Sequence, residues 1–131
     1  ERRASPRIER QTVAGLLELF DDHASGQAFL EDLISTFDVT GRVVVSDLKD
    51  ATKCCDQAKQ AKLAHMLKGI GRNIGAERLG QLCQALESEA LGASAERCDS
   101  LCVAIEAEFA ASPQELTTTY CQASNGTSKA S

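Results

Sequence analysis

The sequence predicts an all-α fold, an antiparallel four-helix bundle with an additional short N-terminal helix. Three observations carry this. Apolar residues recur at spacings of three and four along most of the chain, as in helices that bury one stripe. The breaks between these stretches are short runs rich in Asp, Ser and Gly, enough only for tight connections between antiparallel neighbours. Four Phe, one Tyr and no Trp leave a core of Leu, Ile, Val and Ala, which favours helices over a sandwich.

Glu1 to Arg7 is charged, contains Pro6 and reads as a linker end, so the domain is expected over 8–120. Val13, Leu16, Leu17 and Phe20 predict a first helix from Ile8 to Phe20. Asp21, Asp22, Ser25 and Gly26 interrupt it and offer N-caps for the next; His23 lies in this polar junction. Phe29, Leu30, Leu33, Ile34 and Phe37 open the second stripe, which Val44, Leu48, Ala51 and Cys55 continue. The β-branched run Val43-Val44-Val45 has no second apolar strand to pair with. One long helix over 26–54 is expected, with Gly41 as the place for a kink or break.

Asp56 is a good N-cap for a third helix ending around Asn73, where Gly75 supplies the turn. A fourth helix runs from Ala76 to about Leu91, burying Leu79, Leu82, Cys83, Leu86 and Ala90, and Gly92 stops it. Ser94 caps a last helix with Cys98, Leu101, Cys102, Ile105 and Phe109 as its stripe. Ser112-Pro113-Gln114-Glu115 has the form of a capping box with proline at the first helical position, so a kink or restart is expected there. The small polar residues 121–131 read as a disordered tail.

The 131 residues are one domain's worth of chain. A formal net charge of −5 argues against nonspecific nucleic-acid binding. No apolar run approaches the ~18 residues of a membrane span, and no secretory signal is visible. The six cysteines (Cys54, Cys55, Cys83, Cys98, Cys102 and Cys121) match no secreted framework and form no C-x-x-C pair. They read as small apolar helix residues, reduced in a cytoplasmic setting, rather than as disulfides or a zinc site. Gly69, Gly71 and Gly75 miss the dinucleotide-loop spacing, and no strand precedes them.

The third helix carries the chemistry. At about 100° per residue, His65, Lys68, Gly69 and Arg72 share one face, extended backwards by Ala58, Ala61 and Lys62. Leu63, Leu67, Ile70 and Ile74 lie roughly opposite. The imidazole therefore points away from the core, among small residues and cations. A neutral imidazole nitrogen is a usable nucleophile near pH 7. A lysine one turn on favours an anion on that nitrogen, and a glycine lets a phosphate or a partner's backbone come close. Phosphoryl transfer needs mostly such positioning and charge neutralisation. From periodicity alone a surface histidine without a role is an equal reading, and Lys62 and Arg72 serve equally as an ordinary charged face or as steering charges.

The run His65-Met66-Leu67-Lys68-Gly69, then Asn73-Ile74-Gly75-Ala76, Leu79, Leu82-Cys83 and Leu86-Glu87, resembles a histidine phosphotransfer (HPt) domain of multistep two-component signalling. The pattern H-x-L-K-G, then G-A-x-R-L and C-x-x-L-E, is far more specific than a lone histidine, and weaker likeness extends over most of 16–109. The resemblance implies His65 as phosphoacceptor, Lys68 as its electrostatic partner and Gly69 as the close-approach residue. Ala58, Ala61, Lys62, Arg72 and Glu87 then belong to the receiver-binding face. Glu87 falls where several members carry a glutamine that hydrogen-bonds the imidazole.

The partners implied are response-regulator receiver domains, whose pocket would hold the divalent metal; this chain needs no cofactor of its own and is expected to be a monomer. Nothing resembles an ATP-binding kinase core. The absent start methionine and the linker-like beginning suggest the C-terminal segment of a bacterial hybrid sensor kinase, whose parent chain could be anchored in the inner membrane, over a free-standing carrier. The alternative function is a noncatalytic docking bundle that binds receivers without carrying phosphate.

Overall fold

The computed structural model describes residues 7–130, with side chains at 7–22 and 24–120. The helices are α1 (Arg10–Leu17), α2 (His23–Lys53), α3 (Gln57–Asn73), α4 (Glu77–Glu89) and α5 (Ala95–Ala130). α2 packs on α3, α3 on α4, α4 on α5 and α5 back on α2, which closes an antiparallel four-helix bundle; α1 lies against α2 and α5. The expected stripes meet inside. Leu30, Phe37, Val44, Leu48, Leu63, Leu67, Leu79, Leu86, Leu101, Ile105 and Phe109 are all buried.

The connections follow capping chemistry. The Asp22 carboxylate accepts from Ser25 N–H at 2.6 Å and starts α2. Asp56 accepts from Lys59 N–H at 3.1 Å and starts α3, and Ser94 Oγ accepts from Arg97 N–H at 3.1 Å at the head of α5. After α3, Gly75 takes φ +89°. Its N–H donates to the Arg72 carbonyl and that of Ala76 to the Gly71 carbonyl, a Schellman ending. α2 ends the same way, with Cys55 N–H on Thr52 and Asp56 N–H on Ala51. The left-handed residue there is Cys55, at φ +56°. Cys54 and Cys55 are thus exposed turn residues, not the helix-face residues their spacing suggested, because the stripe runs out at Ala51. Cys83, Cys98 and Cys102 are buried as expected, and all five described cysteines are free thiols; Cys121 and the His23 side chain lie outside the described residues.

Other boundaries also move. α1 begins at Arg10 rather than Ile8, because Glu9 N–H donates to the Gly75 carbonyl at 2.6 Å and holds the chain extended. Arg7, read as a linker end, is anchored. Its guanidinium pairs with the buried Glu108 carboxylate, and its carbonyl accepts from Arg78 N–H at 3.3 Å. α5 passes through Pro113 without restarting: Ser112 is buried and its hydroxyl donates back to the Glu108 carbonyl at 2.7 Å instead of capping. The helix also continues through 121–130, read from the sequence as a disordered tail; past Pro113 that stretch has no further proline, and the helix runs on across Gly126.

α2 is continuous through Gly41, and the reason is packing. A Cβ built there would lie 2.6 Å from Phe109 Cζ, and that ring is itself wedged against Phe37 with centroids 5.3 Å apart. Glycine marks where α5 comes closest, not where α2 breaks. We therefore expect Gly41→Ala to destabilise by about 1–3 kcal/mol from overpacking, although alanine is the better helix former by about 1 kcal/mol. Cys55→Gly should instead stabilise by about 1 kcal/mol by relieving the left-handed residue. Chemical denaturation of the two variants beside wild type checks both signs.

Candidate functional site

The site lies where the open face of α3 meets α4. Leu63, Ala64 and Leu67 of α3 are buried, and this turns His65 outwards with its side chain 66 % exposed. Gly71 packs on Leu79 and Ala76, which draws α4 close alongside. Side chains then meet in antiparallel order: His65 with Glu87, Lys68 with Gln84 and Glu87, and the Arg72 stem over Gly80. A Cβ on Gly80 would lie 2.9 Å from Arg72 Cγ, so the Arg72 side chain would have to shift to admit one.

Glu87 is the bridge. One carboxylate oxygen sits 2.8 Å from His65 Nδ1 and the other 2.6 Å from Lys68 Nζ. Lys68 also donates to Gln84 Oε1 at 3.0 Å, and the Gln84 amide donates to Ser88 Oγ at 2.8 Å. The hydrogen bond from Lys68 above all, and then that from His65, hold the Glu87 carboxyl below its usual range. Glu87 is therefore ionised at neutral pH and can only accept. A neutral His65 then carries its proton on Nδ1 and its lone pair on Nε2, facing solvent. Beneath them the Cys83 thiol is pushed up to about 12 by burial and is inert near neutral pH.

The eight residues singled out from the sequence fall as follows. Ala58, Lys62, Gly69 and Arg72 are exposed around His65, and Ala61 is half-buried. Lys68 differs from expectation: it sits not on an open solvated face but in the α3–α4 cleft, only 17 % exposed, because Glu87 and Gln84 draw it in. Gln84 and Gly80 escaped the sequence reading. Both sit on α4 at helical spacing from Glu87, so projecting that helix as well as α3 would have found them. Among the described residues no group of three or more His, Cys, Asp or Glu is placed to hold a metal, and no helix is long and apolar enough to cross a membrane.

Residues 27–115 match the family model of the Hpt domain. The chain belongs to the Hpt family. It is therefore a histidine phosphotransfer module of two-component phosphorelays, a class of domain that works with receiver domains. The fold of this Hpt domain is similar to the crystal structure of histidine-containing phosphotransfer protein B (HptB) from Pseudomonas aeruginosa PAO1. The TM-score is 0.74 at 24 % identity, over 90 % of this chain and 97 % of that one. No curated protein sequence matches the chain significantly.

Gly69 is a residue of this Hpt domain whose form the fold itself does not require. A Cβ there meets nothing within 4 Å, so its smallness matters only to something arriving from outside. Gly69→Ala should leave the bundle intact and stabilise it by about 0.5–1 kcal/mol, the ordinary helix-interior gain. A thermal melt showing clear destabilisation would mean that the glycine is structural after all.

Proposed function

We propose that His65 is the phosphoacceptor, taking a phosphoryl group from the aspartate of one receiver domain and giving it to the aspartate of another. The observation that carries this is the ionised Glu87 on Nδ1, which leaves Nε2 as an exposed nucleophile on a rigid helix. In the step, the Nε2 lone pair attacks phosphorus and the Nε2–P bond forms. The acyl P–O bond breaks, and the receiver's carboxylate leaves with the electron pair. The Nδ1 proton stays on the ring, beside the Glu87 carboxylate. Onward transfer is the same step reversed against a second carboxylate.

Each neighbour has a part that its placement supports. Lys68, one turn from His65, supplies positive charge as the phosphoryl group changes hands. Gly69 leaves the approach open to the receiver. Ala58 and Ala61 keep the surface low, and Lys62 and Arg72 face a receiver pocket whose carboxylates hold the divalent metal; that metal belongs to the receiver. Cytoplasmic placement follows from the same reading, since receivers are its partners.

The test is incubation with a phosphorylated receiver, followed by mapping of acid-labile phosphate. His65→Gln should abolish labelling with the bundle still folded. Lys68→Ala should lower the transfer rate about 10- to 100-fold without abolishing it, as for loss of one charge-stabilising group. Gly69→Leu should slow transfer by blocking approach. Receiver binding with no covalent phosphate in wild type would instead make this a docking bundle, and label surviving His65→Gln would move the acceptor elsewhere.

A further inference from the structure

The group that bridges His65 and Lys68 is a carboxylate, where an isosteric amide could make the same hydrogen bond to Nδ1–H. The difference lies in what happens after phosphorus arrives. When Nε2 gives its pair to phosphorus and Nδ1 keeps its proton, the ring becomes a positively charged phosphoimidazolium. In the onward step the Nε2–P bond breaks and the pair returns to Nε2. The leaving group is then neutral imidazole if Nδ1 is still protonated, but the far poorer anionic imidazolate if that proton has been lost. Lability of the phosphoryl group thus depends on the Nδ1 proton, and Nδ1 faces Glu87 Oε2 at 2.8 Å.

The charged surroundings make this dependence sharp. From α3, Lys62, Lys68 and Arg72 share the open face with His65, and their positive charge favours loss of the proton. From α4 come Glu87 and the buried, uncharged Cys83 thiol. Glu87 supplies the negative charge that opposes those cations. It also holds Lys68 Nζ at 2.6 Å, which anchors that ammonium in the cleft.

We infer that Glu87 is a positioning residue that sets His65 for passage of the phosphoryl group rather than storage: it keeps the Nδ1 proton on the phosphorylated ring. The inference rests on the reading of His65 as acceptor and adds to it the lifetime of the intermediate. A bare histidine with the same exposure would hold its phosphoryl group longer as pH rises, because its ring would deprotonate earlier.

The experiment needs no receiver. The chain and its Glu87→Gln variant are phosphorylated with phosphoramidate, whose P–N bond breaks as Nε2 attacks and ammonia departs with the pair and a proton. After desalting, phosphohistidine decay is followed by phosphorus NMR from pH 6 to 10. A carboxylate partner raises the pH at which the ring proton is lost, so wild type should keep its lability to higher pH. The expected displacement is about one pH unit, with decay about tenfold faster than Glu87→Gln on the alkaline limb. Glu87→Ala should shift in the same direction as Glu87→Gln, and thermal melts confirm that the variants are folded. Superimposable decay profiles, or a longer-lived phosphohistidine in wild type, would overturn the inference while leaving His65 as acceptor. Failure of folded wild type to acquire phosphohistidine would overturn the acceptor reading and this inference with it.

Discussion

The site depends on how closely α3 and α4 approach. His65 and Lys68 share a helix, but the carboxylate that orients one and pairs with the other comes from the neighbouring helix. Side chains that must meet at hydrogen-bond distance tolerate little change in helix separation. Small residues line that approach, with Gly71 packed on Leu79 and Ala76 and Gly80 beneath the Arg72 side chain. The α3–α4 turn keeps the register: Gly75 in the left-handed region reverses the chain within three residues, and Glu9 N–H donates to its carbonyl. The N-terminal segment thus braces the connection that places Glu87 opposite His65.

The charges at this site contribute little to holding the bundle together. His65 is exposed and Glu87 half-buried at the mouth of the cleft, where solvent screens their charges. The bundle draws its stability from the stripes behind them, where Leu67, Leu79 and Leu86 are fully buried. Stability and chemistry therefore occupy opposite faces of α3. This separation is why exchanging His65, Lys68, Gly69 or Glu87 can change reactivity without threatening the fold, and why Gly41, far from the site, does the reverse.

Most of the bundle was legible because its determinants are local. Asp56, Gly75 and Ser94 act within four residues of their own position, and the apolar stripes need only helical period. What was not legible depends on contacts distant in sequence or on a choice between local bonds that the sequence leaves open. Gly41 looks like a helix breaker until Phe109 is found against it. Cys55 looks like the next member of a stripe until the chain turns at Cys54. Ser112 and Pro113 make a convincing start signal, overridden because the hydroxyl bonds backwards to Glu108. At the site, the facing of His65, Lys68 and Gly69 follows from one helix alone. The bridge through Glu87 does not, because no single-helix projection shows two helices meeting, and so the resemblance rather than the periodicity pointed to it.

Charge adds a last constraint on what this face can receive. The chain as a whole is acidic, at −5, and would repel an acidic receiver pocket at long range. Salt limits that repulsion to about 10 Å at 0.1 M ionic strength. On the open face of α3 the balance differs, since Lys62, Lys68 and Arg72 share that face with His65 while Glu87 reaches it from α4. Lys68 is already half committed to Glu87, so Lys62 and Arg72, both exposed, are the cations free to meet an incoming carboxylate cluster. Attraction is thereby confined to the patch around the nucleophile. On the proposed reading of His65 as acceptor, an acidic partner gains most from the orientation that brings its own reactive carboxylate to Nε2, which makes local charge a source of register as well as of affinity.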